Sequence, residues 1–511
     1  AAAHRAEACA FRCGDESITY EALDRASDQL ATYLRDHGLE AGDRVGVFMP
    51  RSVATAVAVY AAMKAGGVFV PIDPHLPAGG LQQLVQDGGI RFLLTHPSKT
   101  ARVHAAYSSA SPLACIVGVD LESNDFPKAV HVAAWEAWQA WTPAPLPRVR
   151  SDDPAYIMYS SGSTGRSKGI THTHCSGLAY CRLSTETYDV TSADVIANHS
   201  PINFDMSTFG YFVSCYAGAT CVLIPEAHTK FPSSLARLME QARISIWYSV
   251  PLALVQLLLR APLGNHDLSS LRWVKFGGEC FPPKYLKALM QEWPQARFSN
   301  VYGPAEVNQC TYFHVPAAYA HEAAHDQVPI GQVWNESHGL VLDEADQIIL
   351  DDAVGELVVA TPTMMSGYWG RGAKDTPVLH WEGRVYYRTG DLVQRRGDGE
   401  LLFLGWKDRE VKVRGYRVEL DDVERAISSH ADVEESAVFC VIHGEEKQIW
   451  STVIPKQGGD VEPEGLRRFL QGFISPYAVP TKIDVVEKFP RTSSGKIDRR
   501  ELQREAQALA Q

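Results

Sequence analysis

Residues 44–96 alternate two kinds of apolar pattern, and that alternation sets the fold class. RVGVFMP (44–50) is a short β-prone run. SVATAVAVYAAMKAG (52–66) follows, Ala-rich and suited to a helix buried in the interior. GVFVPIDP (67–74) and IRFLLTH (90–96) are again strand-like. Upstream, ITYEALDRASDQLATYLRDHG (18–38) carries apolar positions at helical spacing and ends at Gly38. The rhythm returns mid-chain. AGATCVLIP, ARISIWYSV and SLRWVKFGG read as strands, separated by the helical stretches PSSLARLMEQ and PKYLKALMQEW. Strands alternating with helices predict α/β layers around largely parallel sheets.

After about residue 345 the pattern changes. VGELVVATP and GRVYYRTGDLVQRRGDGELLFLGW are short strands with Gly-rich turns, and a hairpin is expected around GDGE, 397–400. From 405 the units become smaller. A strand VKVRGYRVEL, a helix LDDVERAISSH, strands VEESAVFCVI and IWSTVIP, a helix PEGLRRFLQGFI and a strand KIDVVEKFP form a compact α+β unit. The expected division is therefore 1–404 and 405–511, which suits a chain of 511 residues, too long for one core.

Ten scattered cysteines without a CxxC pair disfavour a disulfide framework or a structural zinc site and fit a reducing, cytoplasmic setting. A net charge of −12 without a basic stripe argues against a nucleic-acid partner. No apolar run approaches a membrane span, so no membrane partner is expected.

YIMYSSGSTGRSKGI (156–170) is the strongest short signal. A β-prone run feeds a Gly-, Ser- and Thr-rich loop, whose glycines let backbone N–H groups approach an anion and whose hydroxyls and Lys168 add donors and charge. It is not a GxxxxGK[ST] loop. A Ser/Gly linker is the plainer alternative, which the preceding strand run disfavours. NFDMSTFG (203–210) raises a second question, because Asp205 interrupts an apolar neighbourhood. Such an acid either caps a helix or holds a buried cation.

SSGSTGRSKG resembles the signature loop of the adenylate-forming superfamily, which includes acyl-CoA synthetases, luciferases and nonribosomal peptide synthetase adenylation domains. Seven further ordered stretches match: ITYEAL, KAGGVFVPIDP, NVYGPAE, GELVVATP, YRTGDL, VKVRGYRVEL and PRTSSGKIDRREL. The style is that of freestanding amino-acid-activating members. The resemblance implies a large domain of layered α/β sheets with a distorted β-barrel subdomain, and a small mobile C-terminal domain. It implies condensation of a carboxylate with ATP, with Mg²⁺, and transfer of the acyl group to the phosphopantetheine thiol of a separate carrier protein in natural-product biosynthesis. Coenzyme A is the rival acceptor, and a silent adenylate-binding scaffold is the third reading.

Residue by residue, the resemblance implies phosphate contacts for Ser161, Gly162, Thr164 and Lys168, and a metal contact for Glu306. Gly277, Gly278, Asn300 and Tyr302 are expected to hold the base, with Phe403 beside the nucleotide and Asp391 on the ribose hydroxyls. Lys496 is the expected catalytic lysine, Asp408 the hinge, and Gly415 part of the thiol channel. One departure stands out. The family usually has Gly-Arg before the hinge, where this chain has Gly405-Trp406, with Lys407 and Arg409 nearby but not equivalent. Asp205 matches the position that holds the substrate amine. Phe204, Met206, Phe209, Tyr248, Val274, Phe276, Val301, Gln309 and Cys310 are the expected pocket walls. With no second charge among them, the expected substrate is a small neutral amino acid, proline, glycine, alanine or a small β-amino acid among the candidates.

Overall fold

The computed structural model describes residues 5–120, 126–160, 168–321, 327–350, 352–397, 399–407, 410–444, 446–456, 459–491 and 497–510. Two large sheets carry the N-terminal region. One has eight strands, and its parallel heart is Val68–Pro71, Arg44–Phe48, Ile90–Thr95 and Cys115–Val117. The other has nine, with Thr220–Leu223, Val195–Asn198, Ile246–Ser249, Trp273–Gly277 and Arg297–Tyr302 running parallel.

The helix Val53–Lys64 explains why the two sheets belong to one core. Alanine and valine make up most of it, and it touches Arg44–Phe48 of one sheet and Cys9–Cys13 of the other. Its N-terminus is closed by Ser52, whose hydroxyl accepts from Thr55 N–H. The neighbouring helix Tyr20–Asp36 is amphipathic, buries Leu23, Leu30 and Leu34, and is capped by Thr19.

The Gly-rich region from 338 forms a five-stranded antiparallel sheet. Its long strand Arg384–Arg395 pairs with Val354–Ala360 along one edge, and with Val378–Trp381 and then Leu401–Trp406 along the other. The last pairing is the hairpin expected around 397–400.

The C-terminal region is a three-stranded sheet, Val433–His443, Glu446–Pro455 and Lys482–Val485, packed with Leu420–Ser428 and Pro463–Gln471. Two features differ from the sequence reading. VKVRGYRVEL is not one strand but a hairpin, Glu410–Val413 against Tyr416–Glu419, turning at Arg414 and Gly415, both with positive φ. A terminal helix, Arg499–Ala510, adds Leu502, Ala506 and Ala510 to a second small core with Phe439 and Trp450.

Candidate active site

The principal cavity opens where the C-terminal ends of Ile246–Ser249, Trp273–Gly277 and Arg297–Tyr302 meet the 410–419 hairpin. Asp205, Met206, Tyr248, Val301 and Gln309 line one part of it, and Tyr302 and Asp391 another. Ligands of open α/β sheets bind beyond the carboxyl ends of the strands for this topological reason.

Asp205 is held by a tight turn rather than by a helix it caps. Its Oδ1 accepts from Met206 N–H at 2.8 Å, and its backbone carbonyl accepts from Thr208 N–H at 2.9 Å. The following helical turn, Phe209–Val213, has no side-chain cap. Burial pushes the Asp205 carboxyl up to about 6, against the pull of Lys412 and the Met206 N–H. Among the described residues Asp205 makes no ion pair, and Lys412 is the leading opposing charge.

Glu306 is wholly buried in the turn after Pro304. Tyr368 donates its hydroxyl to Oε1 at 2.9 Å, and Arg417 places Nη1 3.0 Å from Oε2. Burial alone would raise this carboxyl, but Arg417 holds it below the usual glutamate range. His172, stacked on Tyr156 at 4.9 Å, anchors the same turn through Nε2 and the Ala305 carbonyl, 2.9 Å apart. From the same hairpin, Glu419 stands 3.8 Å from Lys168. Among the described residues no three His, Cys, Asp or Glu side chains cluster as a metal cage. A single hard carboxylate suits Mg²⁺, which keeps most of its shell for water and phosphate oxygens.

At the other end of the cavity, the Tyr302 hydroxyl donates to Asp391 Oδ2. Asn300 donates Nδ2 to the Pro329 carbonyl at 2.7 Å. Tyr302 and Phe403 lie 6.0 Å apart, and with Asn300 and Gly278 they line an adjoining cavity. Gly277 is obligatory on steric grounds, because a Cβ there would collide with the Val301 carbonyl.

The hairpin closes the cavity from the other side with Lys412, Gly415, Tyr416 and Arg417. Gly415, at φ +82°, donates its N–H to Glu279 Oε1 at 2.7 Å and presses on Val250, leaving no room for a side chain. Tyr416 stacks on Tyr477 at 3.7 Å and meets Phe204 edge-on at 4.5 Å. A neighbouring cavity shares Phe204 and Tyr416 and is lined by Arg51, His199, Val250 and Arg414.

The structure moves several expected wall residues. Val274 and Phe276 face away from the cavity, into an apolar cluster with Leu254, Phe281 and Leu286. The residue between them, Lys275, is the one on the cavity's side of the sheet, in register with Tyr248 and Ser299. Phe209 lies beneath Tyr248, with ring centroids 5.8 Å apart, and does not line the cavity. Cys310 is packed in the main core. Lys275, Lys412, Tyr368 and Arg417 were not singled out from the sequence. Period-two alternation gives the spacing of a strand's faces but not which face meets the ligand. Ser161, Gly162, Thr164, Asp408 and Lys496 lie outside the described residues, as does Arg409.

Comparison with known proteins identifies the family. Residues 1–369 match the AMP-binding enzyme family, and residues 422–496 match its C-terminal domain. An L-proline–L-prolyl-carrier protein ligase of Pseudomonas fluorescens is 31% identical over 96% of this chain and 95% of its own length. Another with that name from Streptomyces coelicolor is 33% identical over 96% and 92%. Among solved structures, the Vibrio cholerae adenylation domain AlmE, in complex with glycyl-adenosine-5'-phosphate, superposes with a TM-score of 0.84. At 22% identity, covering 99% of this chain and 96% of that one, it supports the fold. The chain belongs to the AMP-binding enzyme family, and its activity is that of an AMP-forming ligase. No helix among the described residues is long and apolar enough to cross a membrane.

Proposed function

We propose that this chain activates a compact, neutral amino acid as its aminoacyl adenylate and passes it to the phosphopantetheine thiol of a separate carrier protein. The observation that carries this reading is Asp205: a carboxylate on the cavity lining that makes no ion pair among the described residues. A substrate ammonium completes such a pair, and a plain carboxylic acid does not. The names of the two ligase relatives point the same way and make proline the first substrate to test.

In the first step a substrate carboxylate oxygen bonds to the α-phosphorus of ATP, and pyrophosphate leaves. Asp205 fixes the amine, so the carboxylate points towards the Tyr302–Asp391 end. Asp391 accepts from the ribose hydroxyls while Tyr302 packs against the base. Glu306 would hold Mg²⁺, which when bound offsets the charge of the phosphates. Lys168 binds phosphate from the loop side, and Thr164 and Lys496 carry the roles implied for them by the family resemblance. In the second step the thiol sulfur bonds to the acyl carbon, and AMP leaves. Gly415 against Val250, with the cavity along Arg51, His199 and Arg414, supports a thiol route on that side. A swing of the small region about Asp408 alternates the two steps.

The test is amino-acid-dependent ATP–pyrophosphate exchange, run beside the desamino acids, followed by thioester loading of a carrier protein and, in parallel, of coenzyme A. Exchange with amino acids only, lost in Asp205→Ala, is expected. Exchange that survives this substitution, or that favours desamino acids, sinks the amine reading. Loading of coenzyme A but not of the carrier sinks the acceptor.

A further inference from the structure

Arg51 carries a guanidinium that no anion pairs among the described residues. It follows the strand Arg44–Phe48 and precedes Ser52, the cap of helix Val53–Lys64, so its backbone is fixed. Cys13 also holds it, donating Sγ to the Arg51 carbonyl at 3.5 Å. Its side chain makes one hydrogen bond, from Nη1 to the Ile224 carbonyl at 2.9 Å, and no ion pair. Arg51 lines the cavity of about 300 Å³ beside the acyl cavity, and the two cavities share Phe204 and Tyr416 as walls. The other guanidinium of that lining, Arg414, has an acid of its own, with Glu446 Oε2 at 3.1 Å. Glu226 pulls on Arg51 from further off, but Lys230 at 2.6 Å and His75 at 3.1 Å already hold that carboxylate.

A guanidinium stays charged at any working pH, so enclosing it without an anion is costly. Burial accordingly pulls Arg51 below its ordinary range. The second step of the reaction brings an anion to this side. A thiol attacks only after losing its proton, and a fixed guanidinium is the kind of neighbour that stabilises the sulfur anion. The described lining offers no carboxylate to take that proton, and only one histidine. Burial and Arg51 push His199 down to about 3, which makes it a poor base.

We infer that Arg51 receives the acceptor's sulfur as a thiolate and holds its charge for attack on the acyl carbon. This rests on the thioester step proposed above and adds a residue to it. The thiol proton passes to solvent. The sulfur lone pair bonds to the acyl carbon, the bond from that carbon to the phosphate oxygen breaks, and AMP leaves with its electrons. The titratable groups around Arg51 leave the thiol's own range clear. Burial raises Cys13 to about 11 and Tyr416 to about 12, and raises Tyr211 as well, while Lys230 lowers Glu226. With His199 at about 3, none of these titrates where a thiol does.

The experiment is single-turnover transfer from the preformed adenylate of whichever acid supports exchange. The acceptors are pantetheine, which has no phosphate, and coenzyme A, across about pH 7–10. The full chain is compared with Arg51→Gln and Arg51→Lys. In the parent, the rate should rise with an apparent pKa at least about one unit below that of the free thiol. Arg51→Gln keeps a donor for the Ile224 carbonyl but no charge, and should move the rise up to the free thiol's value with both acceptors. Near pH 7 it should slow transfer at least about tenfold more than it slows pyrophosphate exchange. Arg51→Lys should restore most of the difference. If Arg51→Gln does not fold, the parent's profile against the free thiol decides alone. A parent profile that coincides with the free thiol's overturns the inference, as does transfer to neither thiol. So does an Arg51→Gln effect confined to the KM of coenzyme A, which makes Arg51 a phosphate contact, or equal slowing of exchange and transfer, which makes it structural. Transfer to coenzyme A but to no carrier protein sinks only the acceptor proposed above, and the same pH series still decides the role of Arg51.

Discussion

Asp205 and Glu306 are carboxylates of one neighbourhood, and their surroundings drive them in opposite directions. Asp205 is pushed up to about 6 by burial, with Lys412 as the leading opposing charge. Glu306 is more completely enclosed, yet Arg417 at 3.0 Å keeps it below the usual range. The difference is not depth but the source of the counter-charge. Glu306 receives its cation from the chain's own C-terminal region, whereas Asp205 makes no ion pair among the described residues and, on the proposed function, takes its cation from the substrate.

The most severe way to break this contrast is Asp205→Ala. An ammonium left buried without its acid costs about 4 kcal/mol, so kcat/KM for the amino acid in pyrophosphate exchange should fall roughly 10³-fold. Next comes Arg417→Ala, which strands Glu306. Chemical denaturation should show a loss of about 3 kcal/mol, and adding Glu306→Gln should recover much of it, a coupling that a double-mutant cycle measures.

A third test uses pH. The folded value of Asp205 is raised above its unfolded one, so its contribution to stability is present at acid pH and is lost as pH rises through about 6. Asp205→Asn should therefore stabilise the free enzyme at pH 8 by on the order of 2 kcal/mol, with little effect at pH 4. Conversely, kcat/KM for the amino acid should fall about tenfold per unit below pH 6 in the parent, as the acid that holds the ammonium is protonated. The mildest change is Gly415→Ala. Its positive φ and the contact with Val250 predict a cost of about 1–2 kcal/mol, seen as slower thioester loading with exchange largely kept. Val250→Ala should restore part of the loading.

Much of the layered fold was legible because its elements announce themselves locally. The Ala-rich helix 53–64 and the apolar runs at 44–48 and 246–249 could hardly be anything else. The 410–419 hairpin was not, since Arg414-Gly415 is a weak turn signal and the flanking residues alternate without a break. Helix 499–510 hid because its buried stripe is only Leu502, Ala506 and Ala510 amid charge. At the site, Asp205, Glu306, Tyr302 and Asp391 came from motif resemblance; Asp205, Tyr302 and Asp391 line one cavity, and Glu306 is buried behind it, bonded to Arg417 of its wall. Val274 and Phe276 failed for a physical reason. A central strand of a covered parallel sheet is apolar on both faces, so hydrophobicity does not reveal its parity. Only the register with Tyr248 does, and it selects Lys275. Arg417 and Lys412 were missed because their presence depends on how a distant region docks.

Arg417 and Gly415 stand two residues apart on one hairpin, so neither can leave its seat without disturbing the other. While Gly415 sits against Glu279 on the proposed thiol route, Arg417 occupies Glu306. Kinetically this makes pyrophosphate and the acceptor thiol rivals for one enzyme form. Each should raise the apparent KM of the other, and intersecting rather than parallel reciprocal plots in the presence of pyrophosphate are the signature of that shared latch.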